Sequence, residues 1–148
     1  MINNLIEQLK QNPEIWNQVK DFFRFQEIPA RTILLSEGEI ARKIFFIRKG
    51  CLRMWFNDKG KDITFQFFFE NQAVASIDSF MNSEPSLFYI ESIEPSAIAS
   101  IDKENFDKLL NQYPNMKEGF QRIMYQRFRN YAELFLSRIK NNQKQRYE

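Results

Sequence analysis

Between Thr32 and Ile101 the chain breaks into six short runs of β-branched and aromatic residues: TILLS, KIFFIR, CLRMWF, DITFQFFF, LFYIESI and AIASI. SEGE, KG, NDKG, a longer polar loop and EP separate them. Runs this short suit strands rather than helices, and many of them at close spacing predict a β-sandwich or barrel. The turn NDKG marks a hairpin, because Gly60 accepts positive φ. Strict alternation through KDITFQFFF would put Ile63, Phe65, Phe67 and Phe69 on one face and Thr64 and Gln66 on the other. These aromatic stripes read as core. A nucleic-acid stacking platform would need interleaved basic residues, and they are missing.

Helical patterns flank the β region. Leu5, Ile6 and Leu9 share one face of a short helix. Asn12 can cap a second helix with Pro13 at its first position. Ile15, Trp16, Val19, Phe22 and Phe23 continue at helical spacing, and Pro29 ends the pattern. After the strands, Asp102 can cap a segment carrying Phe106, Leu109 and Leu110 that stops before Pro114. A long helix is then predicted from about Asn115 to Lys140. Its apolar residues, Met116 to Ile139, spread over an arc of roughly 220°, about twice the stripe an ordinary surface helix needs. One face against its own barrel cannot use that arc, so the helix is expected to pack on a second chain as well.

Composition narrows the chemistry. At 148 residues, with sixteen phenylalanines, the chain is long enough to bury one substantial core. It contains no histidine, which removes Ser-His-Asp and Cys-His catalysis, His-ligated metals and the usual neutral-pH base. No carboxylate pair stands at a diagnostic spacing. An enzyme is not expected, nor is a cofactor or a metal. The single cysteine, Cys51, allows no intrachain disulfide and reads as a small buried hydrophobe on a strand. It also cannot supply an iron–sulfur cluster. No run of about 18 apolar residues suggests a membrane span, and MINNLIEQLKQ lacks the pattern of a signal peptide. A cytoplasmic location is therefore expected.

Charge is unevenly distributed. Between Lys61 and Lys103 lie 41 positions with seven acids and no basic residue, while the rest of the chain carries +9. Residues 115–148 hold eight basic and three acidic groups. That local excess could attract phosphate, but charge alone binds without reading sequence.

The ordered segments ILLSEGE, IFFIRKGCLRMWFNDKGKDITFQFF and ENQAVASIDSFMNSEPSLFYIESIEPSAIASIDKENFDKLLNQYP resemble the sensory half of Crp/Fnr-family transcription regulators. Glycines 38, 50 and 60 fall at that family's turns, and the likeness runs from about Pro13 to Lys140. The resemblance implies a mainly β fold with flanking helices: a jelly-roll barrel (double-stranded β-helix) of the cyclic-nucleotide-binding type plus a long C-terminal helix. The N-terminal helices and effector-binding barrel would occupy residues 1–114, and the dimerisation helix with the start of a linker residues 115–148. It further implies a homodimer, a small-molecule effector, no membrane, and DNA contact only through a helix-turn-helix domain. That domain would need some 60 to 80 further residues. The chain stops at NNQKQRYE, and the expectation is a chain cut short of that domain rather than a lone sensor.

Family members that bind cyclic AMP share a phosphate cassette: Gly-Glu-Leu opening a short helix, then Arg followed by Ser or Thr across the loop. By resemblance the Gly falls on Ala75, the Glu on Ser76 and the Leu on Ile77. The Arg falls on Ser86 and its hydroxyl neighbour on Leu87, and Asp78 adds a negative charge. The hydroxyl pair of the long helix that faces the purine falls on Tyr131 and Ala132. The expected dimer seam runs through Phe120, Ile123, Met124, Arg127, Tyr131 and Leu134. The resulting expectation is an effector-sensing and dimerisation domain with a degenerate cassette and an effector still to be identified. Two alternatives stand beside it: a dimerising scaffold whose pocket is filled by its own side chains, such as Tyr131 and Phe88, or a weak cyclic-nucleotide binder using the helix N-terminus near Ser76 and Ile77.

Overall fold

The computed structural model describes residues 3–147, and their side chains except those of Tyr131 and residues 142–147. It divides into two compact units, residues 2–109 and residues 110–148. The first opens with α1 (Leu5–Lys10) and α2 (Pro13–Val19). Asn12 caps α2 as its sequence predicts: its Oδ1 accepts from Glu14 N (3.1 Å) and Ile15 N (3.3 Å), with Pro13 at the first helical position.

The helical pattern does not continue to Pro29. A short 3₁₀ turn (Lys20–Phe22) leads into strand β1 (Phe23–Ile28), so Phe23 is a strand residue. The strand is decided by tertiary pairing. β1 runs antiparallel to β8 (Ser96–Asp102), with Phe23 opposite Ile101 and Ile28 opposite Ser96, and Phe23 and Ile101 are both buried.

The remaining strands are β2 (Ile33–Leu35), β3 (Lys43–Lys49), β4 (Leu52–Asp58), β5 (Lys61–Phe68), β6 (Ala73–Val74) and β7 (Tyr89–Ser92). They form two antiparallel four-stranded sheets, in the orders β1-β8-β3-β6 and β2-β7-β4-β5. This is the jelly-roll arrangement. In β3 the run Ile44 to Ile47 is wholly buried, because a central strand covered on both faces needs no polar alternation. Leu52 and Ile90 are fully buried from the facing sheet, as are Ile98 and Ala99 from β8. Each large aliphatic side chain so buried contributes about 1.5–3 kcal/mol.

Two turns explain why IFFIRKG and NDKG hold glycines. Gly50 has φ +107°, and a Cβ there would lie 2.7 Å from Ser96 Cβ and 2.9 Å from Ser96 Cα. Neither the conformation nor the space admits a side chain. At the β4–β5 hairpin, Lys59 (φ 53°) and Gly60 (φ 87°) form a two-residue turn with positive φ at both centres, and Asn57 Oδ1 accepts from Gly60 N at 2.9 Å. Cys51 is buried, as expected, but lies just before β4 rather than within a strand.

The aromatic stripe of β5 departs from its alternation. A bulge between Met54 and Trp55 shifts the register, so Gln66 sits opposite Met54 and Phe67 opposite Arg53. Phe67 therefore leaves the face it would share with Ile63. Nor is the stripe core. β5 is an edge strand, and Phe65, Phe67 and Phe69 are 47%, 48% and 56% exposed.

Helix α3 (Ile77–Asn82) crosses the long loop, and α4 (Lys103–Gln112) follows β8. Phe80 of α3 meets Phe106 of α4 edge-on at 5.7 Å. Asp102 caps α4 by accepting from Asn105 N at 2.8 Å. In the second unit, α5 runs from Pro114 to Tyr147, longer at its C-terminus than the predicted span. Its described apolar side chains include the exposed Tyr125, Phe128, Leu134, Phe135, Leu136 and Ile139. No described helix is long and apolar enough to cross a membrane.

Candidate functional site

The loop from Val74 to Tyr89 brings the expected cassette positions Ser76 and Ser86 together. Ser76 precedes α3 in an extended conformation, and its side chain makes no capping bond to that helix. Its hydroxyl lies instead 2.8 Å from Ser86 Oγ. Ser86 Oγ is also 2.8 Å from the Phe88 carbonyl oxygen and accepts from Phe88 N at 3.1 Å. Both serines are buried.

The backbone of the loop is clamped from the side. Ser86 N donates to Glu39 O (2.7 Å), Gly38 N donates to Ser86 O (2.8 Å), and Ile40 and Pro85 form an antiparallel bridge. Ala41 N donates to the buried Ser79 Oγ at 2.7 Å, which ties α3 to the same segment. Every one of these bonds is neutral.

The other cassette positions disperse. Ala75 and Ile77 are half-buried, Asp78 is exposed in the first turn of α3, and Leu87 is 66% exposed. A hydroxyl neighbour of Ser86 would point into water there. Asp78 suits the partial positive charge at a helix start and competes for it with any anionic ligand. Among the described contacts, the cation reaching α3 is Lys103. Its Nζ donates to Met81 O at 3.3 Å, near the far end of the helix from Ser76. The side chain of Tyr131 lies outside the described residues. Of the other seam candidates, Phe120 is already buried, Ile123, Met124 and Arg127 are half-buried, and Leu134 is 59% exposed.

An aromatic cluster adjoins the serines. Phe88 meets Phe65 at 5.1 Å and Phe56 edge-on at 6.3 Å. Phe56 and Phe88 are half-buried and Phe65 is exposed. Phe56 and Phe65 were not among the expected site residues. The NDKG turn offered a signal, since a two-residue loop sets Phe56 opposite Ile63 and brings the aromatics of both hairpin strands into reach.

On the opposite face of β4 a second, structural network was also invisible to the sequence. Arg53 donates to Glu91 Oε1 through Nε (3.1 Å) and Nη2 (2.9 Å), and to Thr64 Oγ1 (3.3 Å); Asp62 lies at 3.4 Å. Its guanidinium also lies 4.8 Å from the centroid of Trp55, which stacks on Tyr89 at 4.1 Å. The indole N–H of Trp55 is buried without a hydrogen-bond partner. Cys51 has its thiol pKa raised by burial and, less, by the charge of Glu94, against a lowering hydrogen bond from the Phe68 backbone. Both its burial and the direction of this shift disfavour the thiolate. Among the described residues no cluster of His, Cys, Asp and Glu could hold a metal ion.

The two packed sheets, the helix that interrupts the loop before β7 and the helix that follows β8 define a class, the jelly-roll barrel with flanking helices. The family follows directly: residues 25–113 match the model of the cyclic nucleotide-binding domain, and the chain belongs to that family. Its fold is similar to that of the catabolite activator protein of Thermus thermophilus (TM-score 0.75, 15% identity), over 87% of this chain and 60% of that one. It is similar to the sensor domain of the transcriptional regulator DNR of Pseudomonas aeruginosa (TM-score 0.73, 13% identity), over 88% and 93%. A transcriptional regulator of Thermotoga maritima is similar too (TM-score 0.68, 19% identity), over 79% and 92%. The chain thus spans about three fifths of the length of the Thermus protein. No curated protein sequence matches it.

Proposed function

We propose that this chain is the effector-sensing and dimerising part of a Crp/Fnr-type transcription regulator, with a cassette that no longer selects a cyclic nucleotide. The observation that carries the reading is Ser86. It stands where the cyclic-AMP-binding pattern has its arginine, and its hydroxyl is engaged by Ser76 and Phe88. A phosphodiester anion in a closed barrel needs charge-assisted partners. Losing one such hydrogen bond costs about 1.5–3 kcal/mol, and the nearby Asp78 adds repulsion. The exposed apolar residues of α5 support a two-fold seam between two copies, in which one patch must serve both chains. In this reading sequence-specific DNA contact falls to a helix-turn-helix domain, and residues 3–147 by themselves bind DNA only weakly and without sequence preference.

The test restores the missing chemistry. The double variant Ser76→Glu with Ser86→Arg should gain measurable cyclic AMP binding that the parent chain lacks. A double variant that folds and binds nothing would favour a scaffold whose pocket is filled by its own side chains.

A further inference from the structure

Three short contacts meet at Ser86 Oγ, and the two serine hydroxyls hold only two protons between them. A hydroxyl donates once and accepts twice. If Ser86 gave its proton to Ser76, its oxygen and the Phe88 carbonyl oxygen would face each other at 2.8 Å with no proton between them. One arrangement satisfies all three contacts. Ser86 donates to Phe88 O and accepts from Phe88 N, and Ser76 donates to Ser86. Ser86 is then saturated, with its proton and both lone pairs used. Ser76 has spent its proton and retains only lone pairs. The buried polar pair thus presents an acceptor and no donor.

We infer that the site takes a small, non-anionic aromatic ligand carrying a hydrogen-bond donor, an amine or a hydroxyl. This rests on the reading of the barrel as an effector site and names the ligand class for it. The ligand's donor meets Ser76 Oγ, a bond worth having only for a group that brings its own proton. Its ring adds to the cluster of Phe56, Phe65 and Phe88, where Phe65 is still 47% exposed and where offset or edge-on ring pairs are favoured. Local charge points the same way. Asp78 and Glu84 flank the loop on exposed positions, whereas Lys103, which reaches α3, is engaged by Met81 O.

Two probes with the same phenylethyl body and oppositely charged head groups test this on the whole chain: phenethylamine and 3-phenylpropionate, followed by amide shifts of Ser76, Ser86 and Phe88 in NMR titrations. Phenethylamine should shift these amides with an affinity at least about tenfold above that of 3-phenylpropionate. Ser76→Ala should weaken the amine about fivefold or more. Ser86→Ala frees the Ser76 proton and should narrow the preference between the two probes. Equal binding, tighter binding of the carboxylate, or no shift of these amides by either probe at about 10 mM overturns the inference. Failure here leaves the sensor reading standing, because that reading is tested separately, by cyclic nucleotide binding, by the oligomeric state and by the Ser76→Glu, Ser86→Arg double variant.

Discussion

Ser76 Oγ and Ser86 Oγ lie 2.8 Å apart in a buried contact between the start of α3 and the approach to β7. The pair ties the start of α3 to the approach to β7 with neutral chemistry. Removing it should be felt as stability. Ser86→Ala strands Phe88 N–H and the Ser76 hydroxyl, and should cost about 1–3 kcal/mol. The neighbouring Leu87→Ala, at an exposed side chain, should stay within about 0.5 kcal/mol. Urea denaturation of both variants compares the two directly.

Arg53 is the hub of a cross-strand network. Its partner Glu91 keeps a side-chain exposure of only 14%. Arg53→Met would leave that largely buried carboxylate without its guanidinium partner while preserving much of the stem's packing against Trp55. A loss of about 2 kcal/mol is expected, since hydrogen bonds to charged groups contribute about 1.5–3 kcal/mol. The double variant Arg53→Met with Glu91→Gln should recover part of it. A coupling energy near zero in this cycle would mean that the pair contributes nothing to the fold.

Cys51 should be unreactive in the folded chain. Burial raises its pKa above the ordinary value of 9.0, with Glu94 adding to the shift, so the thiolate is scarce at neutral pH. The folded state holds this proton more tightly than the unfolded one. Its contribution to stability is therefore full below the unfolded pKa and is lost as pH rises through the folded pKa. Alkylation by iodoacetamide at pH 8 should be slow and should accelerate sharply in urea. Equal rates in both conditions would contradict the buried site.

The exposed residues of α5 should matter for association and not for folding. Leu134 is 59% exposed, so Leu134→Glu should leave the unfolding of the single chain nearly unchanged. In a two-fold seam the charge would enter twice and face a like charge. The parent chain should scatter light as a dimer at tens of micromolar, which a micromolar dissociation constant, about 8 kcal/mol, would allow. The variant should scatter as a monomer. A monomeric parent would refute the seam.

What could be read from sequence was what short-range chemistry decides. The caps at Asn12 and Asp102 and the turn at Gly60 depend on neighbours within a few residues, and all three appear where predicted. β1 was misread because Phe22 and Phe23 continue a helical spacing, while the strand is set by Ile101 far along the chain. The β4–β5 pairs next to the turn follow from its length, but the bulge after Met54 breaks the count, and with it the facing of Phe67. Arg53 meets Glu91 only through the β4–β7 register, which no local pattern encodes. At the site, alignment brought Ser76 and Ser86 to the same loop. The direction of their protons needed distances.

The central claim is that this barrel does not select cyclic nucleotides. Titration calorimetry of the parent chain with cyclic AMP and with cyclic GMP tests it most directly. On the proposed reading, with serines in place of the cassette's glutamate and arginine and Asp78 adding repulsion, a loss of roughly 3 kcal/mol or more, over a hundredfold in affinity, is expected. No binding heat should appear up to about a hundred micromolar of either nucleotide. A clean isotherm with a micromolar dissociation constant for either would contradict the account.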